Sequence, residues 1–254
     1  MAEKITVRLG DRSYPILIRS GSLGQAGARI REVSRAGQAL ILSTPPVYAR
    51  YGGRLRRSLA GSFGRVSHCL VPDGEAHKNE KTLFSVFRRM QASGLHRDGC
   101  VVALGGGVVG DLAGLAASLY MRGTDFVQVP TTLLAQVDAS MGGKTAIDFG
   151  GIKNLIGSFY QPKMVLVDPD VLRTLDDRQL RTGLAEIIKY GVIRDADLFD
   201  RLEKGLSRFF AREPEFLALA IRRSAAIKAD IISRDEREGG KRMWLNYGHT
   251  LGHA

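Results

Sequence analysis

The chain has 254 residues, 44% of them hydrophobic, so it is long enough to bury a sizeable core and is not a disordered tail. Its 37 Lys and Arg residues against 26 Asp and Glu residues give a formal net charge of +11, which favours anionic partners such as phosphates, carboxylates, nucleic acid or a membrane surface. The basic residues are scattered along helical stretches and form no solid run, which argues against nucleic-acid binding.

The N-terminus and the cysteines favour a cytoplasmic protein. The first ten residues are charged and strand-like, with no apolar core or cleavage site of a signal peptide. Cys69 and Cys100 lie in apolar stretches without CxxC spacing, as expected for buried reduced thiols. The longest apolar stretch, residues 100–121, contains a glycine cluster and Asp111, which argue against membrane insertion.

In chain order, the first elements predict a β-hairpin followed by a parallel sheet. Two alternating segments, at 4–9 and 13–20, flank a short connection that contains Gly10. After it, short runs of branched apolar residues alternate with helical stretches, which is the pattern of a doubly wound α/β domain. The strand-like runs cover 38–44, 65–72, 100–106, 125–130 and 164–169, and the helical stretches include 48–61 and 80–95.

Beyond Pro169 the strand signals stop, and successive helices are predicted. They cover 176–193, 196–211, 213–235 and 246–254. The predicted fold is therefore an α/β parallel-sheet domain followed by an all-α C-terminal domain. We place the first domain at residues 1–170 and the second at 171–254.

The strand at 100–106 runs into a glycine-rich turn that opens a helix. Gly105, Gly107 and Gly110 satisfy the GxGxxG spacing of a dinucleotide site, in which the pyrophosphate lies on a helix N-terminus. The motif is equally compatible with a tight turn that binds nothing, because this is not the first strand of the sheet. Asp111 is interpreted either as a ligand contact or as a favourable charge near a helix N-terminus.

The turn at 73–82 follows the end of a predicted strand and contains Asp73, Glu75 and Lys78. Loops at the carboxyl ends of parallel strands bind ligands, so a carboxylate there could accept hydrogen bonds from ribose hydroxyls. The commoner interpretation of such a string is an ordinary polar turn that leads into a helix.

The segment 129–157 resembles neither a clean helix nor a clean strand, and we predict that it is a functional loop. GGKT within it lacks the first glycine of a P-loop, which excludes that motif. Lysines on a glycine-rich segment suit phosphate or carboxylate binding. Its polar residues are Thr131, Thr132, Asp138, Ser140, Lys144, Asp148, Lys153 and Asn154.

Two short motifs suggest a metal. Glu186 and Lys189 share a helical face among apolar neighbours, as either a surface ion pair or a buried carboxylate that needs a cation. His249 and His253 lie one helical turn apart, so one metal could bind both. Together with Glu186 they would form a zinc site of two histidines and one glutamate.

Taken in order, several motifs resemble the 3-dehydroquinate synthase family over essentially the whole chain. They are DGExxK, ALGGGVVGDLAGLAASLYMRG, VPTTLLAQVDASMGGKTAID, KNLIGSFYQP, GLAEIIKYG and LNYGHTLGHA. The resemblance implies a Rossmann-like domain that binds NAD, a helical domain that supplies zinc or cobalt, and an active site between them in a homodimer.

The resemblance also implies site residues by position. NAD contacts are implied for Asp73, Glu75, Lys78, Gly105, Gly106, Gly107, Val108, Gly110, Asp111, Thr131, Thr132, Asp138, Ser140, Lys144 and Lys153. Substrate or catalytic roles are implied for Lys144, Lys153, Asn154, Lys189, Arg242, Asn246 and His253, with Arg122 reaching the phosphate bound in the other subunit.

For the metal, the resemblance implies Glu186 and His249 and moves His253 to the substrate set. The third metal ligand is expected beyond residue 254, so the helical domain is expected to be incomplete. Thr44 departs from the family, which often has Asp or Asn there near the adenosine.

The implied reaction converts 3-deoxy-D-arabino-heptulosonate 7-phosphate to 3-dehydroquinate and phosphate, a lyase step of shikimate, chorismate and aromatic amino acid biosynthesis. NAD would oxidise C5 transiently, phosphate would leave, hydride would return, and an intramolecular aldol reaction would close the ring. The alternatives are a sister cyclase such as 2-deoxy-scyllo-inosose synthase, a non-catalytic NAD-binding fragment and, third, a nucleic-acid-binding module. The expected partners are an anionic sugar phosphate and a second copy of the chain, with no nucleic acid and no membrane.

Overall fold

A computed structural model describes residues 3–248, and within this range the strands follow the predicted order. They are β1 (Glu3–Val7), β2 (Tyr14–Ile18), β3 (Gln38–Ser43), β4 (Arg65–Leu70), β5 (Cys100–Gly105), β6 (Asp125–Pro130), β7 (Lys144–Phe149), β8 (Ile152–Phe159) and β9 (Met164–Val167). Seven of them form one sheet in the order β1-β2-β9-β6-β5-β3-β4. Only the β1–β2 pair in this sheet is antiparallel, which confirms the hairpin and the parallel sheet.

Helices cover both faces of the sheet and make up most of the C-terminal part. They are α1 (Ala26–Arg31), α2 (Pro45–Val47), α3 (Gly53–Ala60), α4 (Glu80–Ala92), α5 (Gly107–Leu119), α6 (Asp177–Arg194), α7 (Ala196–Phe210) and α8 (Pro214–Arg234). Asn79, Asp176 and Asp195 cap α4, α6 and α7 by accepting a backbone N–H of the first turn. No helix between residues 3 and 248 is long and apolar enough to cross a membrane.

The prediction of an irregular loop over 129–157 was wrong. The segment forms a π-helical turn (Ala135–Ala139) and then a two-stranded sheet of β7 and β8. Gly150 and Gly151 join these strands with φ angles of 58° and 80°, which is the left-handed conformation that a two-residue hairpin turn needs. The helix predicted over 246–254 falls almost wholly outside the described residues, although Asn246 ends a 3₁₀ helix that begins at Lys241.

The core has three parts. One lies under α1 and α3, and a second lies under α4 and α5 on the opposite face of the sheet. The third joins the β1–β2 hairpin to α6, α7 and α8, and Val7, Ile16 and Ile231 are among its members. The last sheet strand ends at Val167 and α6 begins at Asp177, but a domain boundary after residue 170 stays a prediction.

The strand order creates one crevice at the edge of the main sheet. From β3 the chain moves outward to β4 and then returns to β5 on the other side of β3. At such a reversal the two connecting segments leave the sheet in opposite directions, so a crevice opens outside the carboxyl ends of the strands. The turn that starts at Gly105 lies at this place, as does Thr44.

Candidate active site

The first cavity, which we name the switch-point cleft, lies at the carboxyl ends of the central strands and has a volume of about 540 Å³. Its floor is formed by the glycine turn after β5, and its walls come from the segments after β3, β4 and β6 and from the start of α6. Among the predicted cofactor contacts, it is lined by Asp73, Gly106, Gly107, Val108, Thr131 and Thr132. Thr44 also lines it.

The switch-point cleft fits a dinucleotide. The hydroxyls of Thr44 and Thr131 are buried without a hydrogen-bond partner in the described structure, so each has a donor and an acceptor left for a ligand. A Cβ on Gly106 would lie 3.0 Å from Thr132 Cγ2, and one on Gly107 would lie 3.3 Å from Ala139 Cβ. Because these positions carry no side chain, the N-terminus of the 13-residue helix α5 is open to a phosphate.

Two other glycines of the motif serve packing. A Cβ on Gly105 would lie 2.6 Å from Val109 Cβ, and one on Gly110 would lie 2.8 Å from the side-chain oxygen of Gln128. Neither glycine lines the switch-point cleft as described. The glycines of this motif therefore meet two different requirements. Gly106 and Gly107 leave the floor of the cleft free of side chains, and Gly105 and Gly110 allow close packing of α5 on the sheet.

The second cavity, which we name the lysine cavity, has a volume of about 640 Å³. It lies between α5, the β7–β8 hairpin and the helical part, and its charged or amide side chains are Asp111, Asp138, Lys144, Asn154, Lys189, Lys228, Glu238, Arg242 and Asn246. Ala139 lines this cavity and contacts the position of Gly107 in the switch-point cleft. The two cavities therefore adjoin at Gly107 and Ala139.

Lys78 connects three elements at the wall of the lysine cavity. Its ammonium donates to Asn154 Oδ1 (2.6 Å) and Asp111 Oδ2 (3.3 Å), and Glu75 Oε1 lies 3.1 Å away. Burial lowers the pKa of Lys78, but Asp111, Glu75 and Asp148 raise it, and the net shift is upward. Lys78 therefore stays charged and fixes Asn154, whose φ of 53° is unusual for a residue other than glycine.

Because the pKa of Asp111 is raised in the folded protein, Asp111 should lower the free energy of unfolding as the pH rises. Burial raises the pKa of Asp111 to about 7 from its ordinary 3.8, against the opposing effect of Lys78. Between pH 3.8 and about pH 7 the folded state thus keeps a proton that the unfolded chain releases. The free energy of unfolding therefore falls as the pH rises through this range. Asp111→Asn should remove this decrease, and its stability relative to the parent should rise by about 1–2 kcal/mol from pH 4 to pH 7.5.

Chemical denaturation at several pH values measures this difference. Asp170→Asn is a suitable control, because Asp170 pairs with Arg173 on the surface. A difference between Asp111→Asn and the parent that stays constant over this pH range, or that falls with pH, would contradict the proposed protonation of Asp111.

Asp138 and Lys228, which both line the lysine cavity, form a partly buried ion pair. Lys228 Nζ donates to Asp138 Oδ1 (2.7 Å) and to the Asp138 carbonyl (2.9 Å), and the Tyr190 hydroxyl donates to the same Oδ1 (2.6 Å). Burial would raise the pKa of Asp138, but Lys228 and Lys189 hold it below its usual range. Burial lowers the pKa of Lys228. We infer that Asp138 is ionised and that Lys228 depends on it for its charge.

On the opposite wall, Lys144 at the start of β7 pairs with Glu238. Asn246 lies 3.5 Å from the other oxygen of Glu238. Arg242 is only 2% exposed, and its guanidinium donates to the carbonyls of Gly142 (3.1 Å) and Glu236. The segment 235–246 is thereby attached to the glycine pair that precedes β7.

Glu186 ion-pairs with Lys189, whose ammonium also donates to the Leu245 carbonyl (2.8 Å). Lys189 lines the lysine cavity, and Glu186 lies one helical turn before it on α6. Within residues 3–248, no group of three or more His, Cys, Asp or Glu side chains could hold a metal. Of the predicted metal ligands, only Glu186 lies among the described residues. His249 lies outside them, and so does His253, so the described residues do not form a metal site by themselves.

Other predicted residues lie away from both cavities. Lys153 is exposed on β8, and Arg122 lies in a turn after α5 with a φ of 65°. Neither lines the switch-point cleft or the lysine cavity. Ser140 is 4% exposed, and its hydroxyl has no partner in the described structure.

Three residues of the lysine cavity and its wall were missed in the sequence: Lys228, Glu238 and Tyr190. A signal did exist for Lys228, because it lies on the apolar face of α8 between Ser224, Ala225, Ile231 and Ile232, all of them buried. A single lysine in such a face needs a buried partner. Glu238 lies in a charged loop and gives no such signal.

Two family models match adjoining parts of the chain. The model described as 3-dehydroquinate synthase N-terminal matches residues 68–182, and that described as 3-dehydroquinate synthase C-terminal matches residues 183–254. The 3-dehydroquinate synthase of Pelobacter propionicus is 49% identical over 98% of this chain and 70% of the relative. That of Citrifermentans bemidjiense is 49% identical over 100% of this chain and 70% of the relative.

Solved structures of sugar-phosphate cyclases are similar as well. A 2-epi-5-epi-valiolone synthase from Streptomyces hygroscopicus, with NAD⁺ and Zn²⁺ bound, is 35% identical with a TM-score of 0.84, over 93% of this chain and 66% of that one. A 2-deoxy-scyllo-inosose synthase complexed with carbaglucose-6-phosphate, NAD⁺ and Co²⁺ is 27% identical with a TM-score of 0.90, over 99% and 69%. Glycerol dehydrogenase from Schizosaccharomyces pombe, at 17% identity and a TM-score of 0.64, shares the fold.

Proposed function

Because the chain belongs to the 3-dehydroquinate synthase family, we propose that it converts 3-deoxy-D-arabino-heptulosonate 7-phosphate to 3-dehydroquinate and phosphate. The observation that carries the proposal is that an open glycine-floored cleft adjoins a cavity lined by three lysines and an arginine. The cleft suits a dinucleotide, and the cavity suits a substrate with both a phosphate and a carboxylate. The enzyme would be a carbon–oxygen lyase.

NAD is the proposed occupant of the switch-point cleft. Its pyrophosphate would lie against Gly106 and Gly107 at the N-terminus of α5, and the buried hydroxyls of Thr44 and Thr131 would hydrogen-bond its polar groups. From Gly107 to Asp111 the helix α5 makes one turn, which leads from the cleft to the lysine cavity. When bound, NAD supplies the transient oxidation at the substrate C5 that acidifies the neighbouring proton.

The lysine cavity would bind the anionic substrate. Lys144, Lys189, Lys228 and Arg242 give it four positive charges, against the carboxylates of Asp138 and Glu238 and the carboxyl group of Asp111. Each of the three lysines is held in place by a protein oxygen, so their charges are organised before the substrate arrives. Fixed cations aimed at a departing phosphate stabilise the charge that develops on it.

Lys144 can meet a substrate anion with its remaining N–H groups, or with all of them if its pair with Glu238 opens. Glu238 lies in a loop with a φ of 66°, and its side chain is 24% exposed. If the pair opens, a substrate carboxylate or phosphate would replace the Glu238 carboxylate beside Lys144 and Asn246.

We further propose that Glu186 and His249 hold zinc or cobalt together with a ligand that the described residues do not provide. Glu186 is on the helix that carries Lys189 into the cavity. A divalent metal bound there would polarise a substrate hydroxyl. Zinc analysis by mass spectrometry after dialysis, with Glu186→Gln as the comparison, tests this assignment, and equal zinc content in both proteins would contradict it.

Phosphate release separates this function from that of a sister cyclase. The heptulosonate 7-phosphate and glucose 6-phosphate are each supplied with NAD and zinc, and free phosphate is followed with time. Release from the heptulosonate alone is the expected result. Release from glucose 6-phosphate alone would favour a 2-deoxy-scyllo-inosose synthase, and NAD binding without release from either sugar would favour a non-catalytic protein.

A homodimer is also part of the proposal. The strand β8 is an edge strand with exposed apolar side chains that do not line the lysine cavity, among them Ile152 and Ile156. Leu119 and Met121 at the end of α5 are exposed too. Long apolar edge strands are normally covered, and a second copy of the chain would cover this one.

Arg122 lies beside this surface and would reach the partner's lysine cavity. Tyr160, directly after β8, fixes the turn by donating to the Thr124 carbonyl (2.7 Å). If Arg122 acts across the interface, Arg122→Ala and Lys144→Ala should each be inactive alone. Their mixture, after unfolding and refolding together, should regain about a quarter of the parent activity, because half of the dimers are mixed and each has one intact site.

The control for this mixing experiment is each variant refolded alone. A mixture that stays inactive would place Arg122 in the site of its own subunit and contradict the proposal. Sedimentation measurements on the mixture show whether dimers are present at all.

A further inference from the structure

Tyr190 contacts Lys189 of the lysine cavity directly and is connected to Lys228 through Asp138. It lies in α6 and is fully buried. Its ring centroid lies 5.1 Å from Lys189 Nζ, and its hydroxyl lies 2.6 Å from Asp138 Oδ1, which also accepts from Lys228. Tyr190 is not among the lining residues of the cavity, so any effect on a bound molecule must pass through these neighbours.

The Tyr190 hydroxyl has a choice of two acceptors. Asp138 Oδ1 is at 2.6 Å and the Val137 carbonyl is at 3.2 Å. A phenol has one proton, which goes to the charged and closer carboxylate. Burial raises the pKa of Tyr190 well above its ordinary value, so the hydroxyl remains a donor throughout the working pH range.

One carboxylate oxygen therefore takes two donors. Asp138 Oδ1 accepts from the Tyr190 hydroxyl and from Lys228 Nζ, which approaches at 2.7 Å. The second torsion angle of an aspartate side chain is broad, so an unsupported carboxylate turns easily. The hydrogen bond from Tyr190 on α6 fixes the Asp138 carboxylate. The fixed carboxylate in turn holds the ammonium of Lys228, which lies on α8.

We propose that Tyr190 is a positioning residue of the lysine cavity: its hydroxyl fixes Asp138 so that Lys228 keeps its place, and its ring supports the ammonium of Lys189. The kinetic part of this inference rests on the proposed function, and the geometric part does not. If Tyr190 were only a core residue, phenylalanine would fill the same space and leave both lysines unchanged.

Tyr190→Phe tests the hydroxyl and keeps the ring. Acetylation of each lysine by acetic anhydride, followed by mass spectrometry, should show Lys228 reacting several times faster than in the parent. Lys189, still above the ring, should react at the parent rate. With the sugar phosphate as substrate, kcat should fall by about tenfold to a hundredfold, with little change in KM, because a small misplacement of a fixed group costs this much.

Tyr120→Phe is the matched control. The Tyr120 hydroxyl is also part-buried and donates to one oxygen, the Leu95 carbonyl at 3.2 Å, and Tyr120 lines neither cavity. Its removal should leave the Lys228 acetylation rate unchanged. Thermal unfolding of both variants shows whether a loss of activity reflects unfolding.

A second variant keeps the test decisive if Tyr190→Phe does not fold. Asp138→Asn preserves the shape of the side chain and removes its charge, so Lys228 should again react faster. Parent-like Lys228 acetylation in either variant would overturn the proposal, and so would a fall in kcat without it. A parent enzyme that leaves the sugar phosphate intact would contradict the proposed function alone, because lysine acetylation needs no turnover.

Discussion

Lys228→Met should lower kcat/KM by about a thousandfold, since one of the fixed cations of the lysine cavity is lost. It should also destabilise the protein. Asp138 keeps the Tyr190 donor but loses its ion-pair partner, and removing one member of a buried pair leaves an uncompensated charge. Because the Asp138 side chain is 24% exposed, we expect a loss of about 2–3 kcal/mol in the free energy of unfolding.

Steady-state kinetics and chemical denaturation at neutral pH measure both effects. Lys163→Met is the matched control, because Lys163 pairs with Asp125 at 3.7 Å on the surface and its side chain is 52% exposed. Breaking that pair should change stability by less than about 1 kcal/mol and leave kcat/KM unchanged. Equal effects of the two variants would show that the Lys228–Asp138 pair contributes no more to stability or activity than a surface pair.

Gly107→Leu should abolish NAD binding. Gly107 forms the floor of the switch-point cleft, and even a Cβ there would lie 3.3 Å from Ala139 Cβ. We expect a leucine side chain at this position to occupy space proposed for the pyrophosphate and to cover the N-terminus of α5. We expect the Kd for NAD to rise by more than about a hundredfold, which corresponds to about 3 kcal/mol, and turnover to be lost with it.

Isothermal titration calorimetry gives the Kd, and Gly37→Leu is the control. Gly37 is exposed, and nothing lies within 4 Å of the Cβ position there, so a leucine at 37 should leave NAD affinity unchanged. If Gly107→Leu binds NAD with the Kd of the parent, the switch-point cleft is not the NAD site.

The main sheet could be predicted from the sequence, and the small one could not. The strands β3, β5 and β9 are short runs of apolar, largely branched residues because both faces of the main sheet are covered. β7 and β8 mix Lys144, Thr145, Asp148, Lys153 and Asn154 with apolar residues, since much of this hairpin is exposed or lines a cavity. Its one clear signal is the glycine pair at 150–151.

The sequence could predict that the residues directly after the parallel strands lie together at one edge of the sheet. Gly106 follows β5 and Thr131 follows β6, and neighbouring parallel strands end at the same edge. Lys228 and Glu238 could not be placed, because a helix and a loop far along the chain bring them to the lysine cavity. Their positions depend on how α8 packs on β1 and on the turn at 135–139, which local patterns do not specify.

The most direct test of the account compares phosphate release with the amount of NAD. The central claim is that NAD in the switch-point cleft is regenerated while the sugar phosphate reacts in the adjoining lysine cavity. With the heptulosonate 7-phosphate in large excess over NAD, we expect many phosphates released per NAD, no lasting absorbance of NADH at 340 nm, and formation of 3-dehydroquinate. Phosphate release that equals the NAD supplied, or that proceeds without NAD, would contradict it.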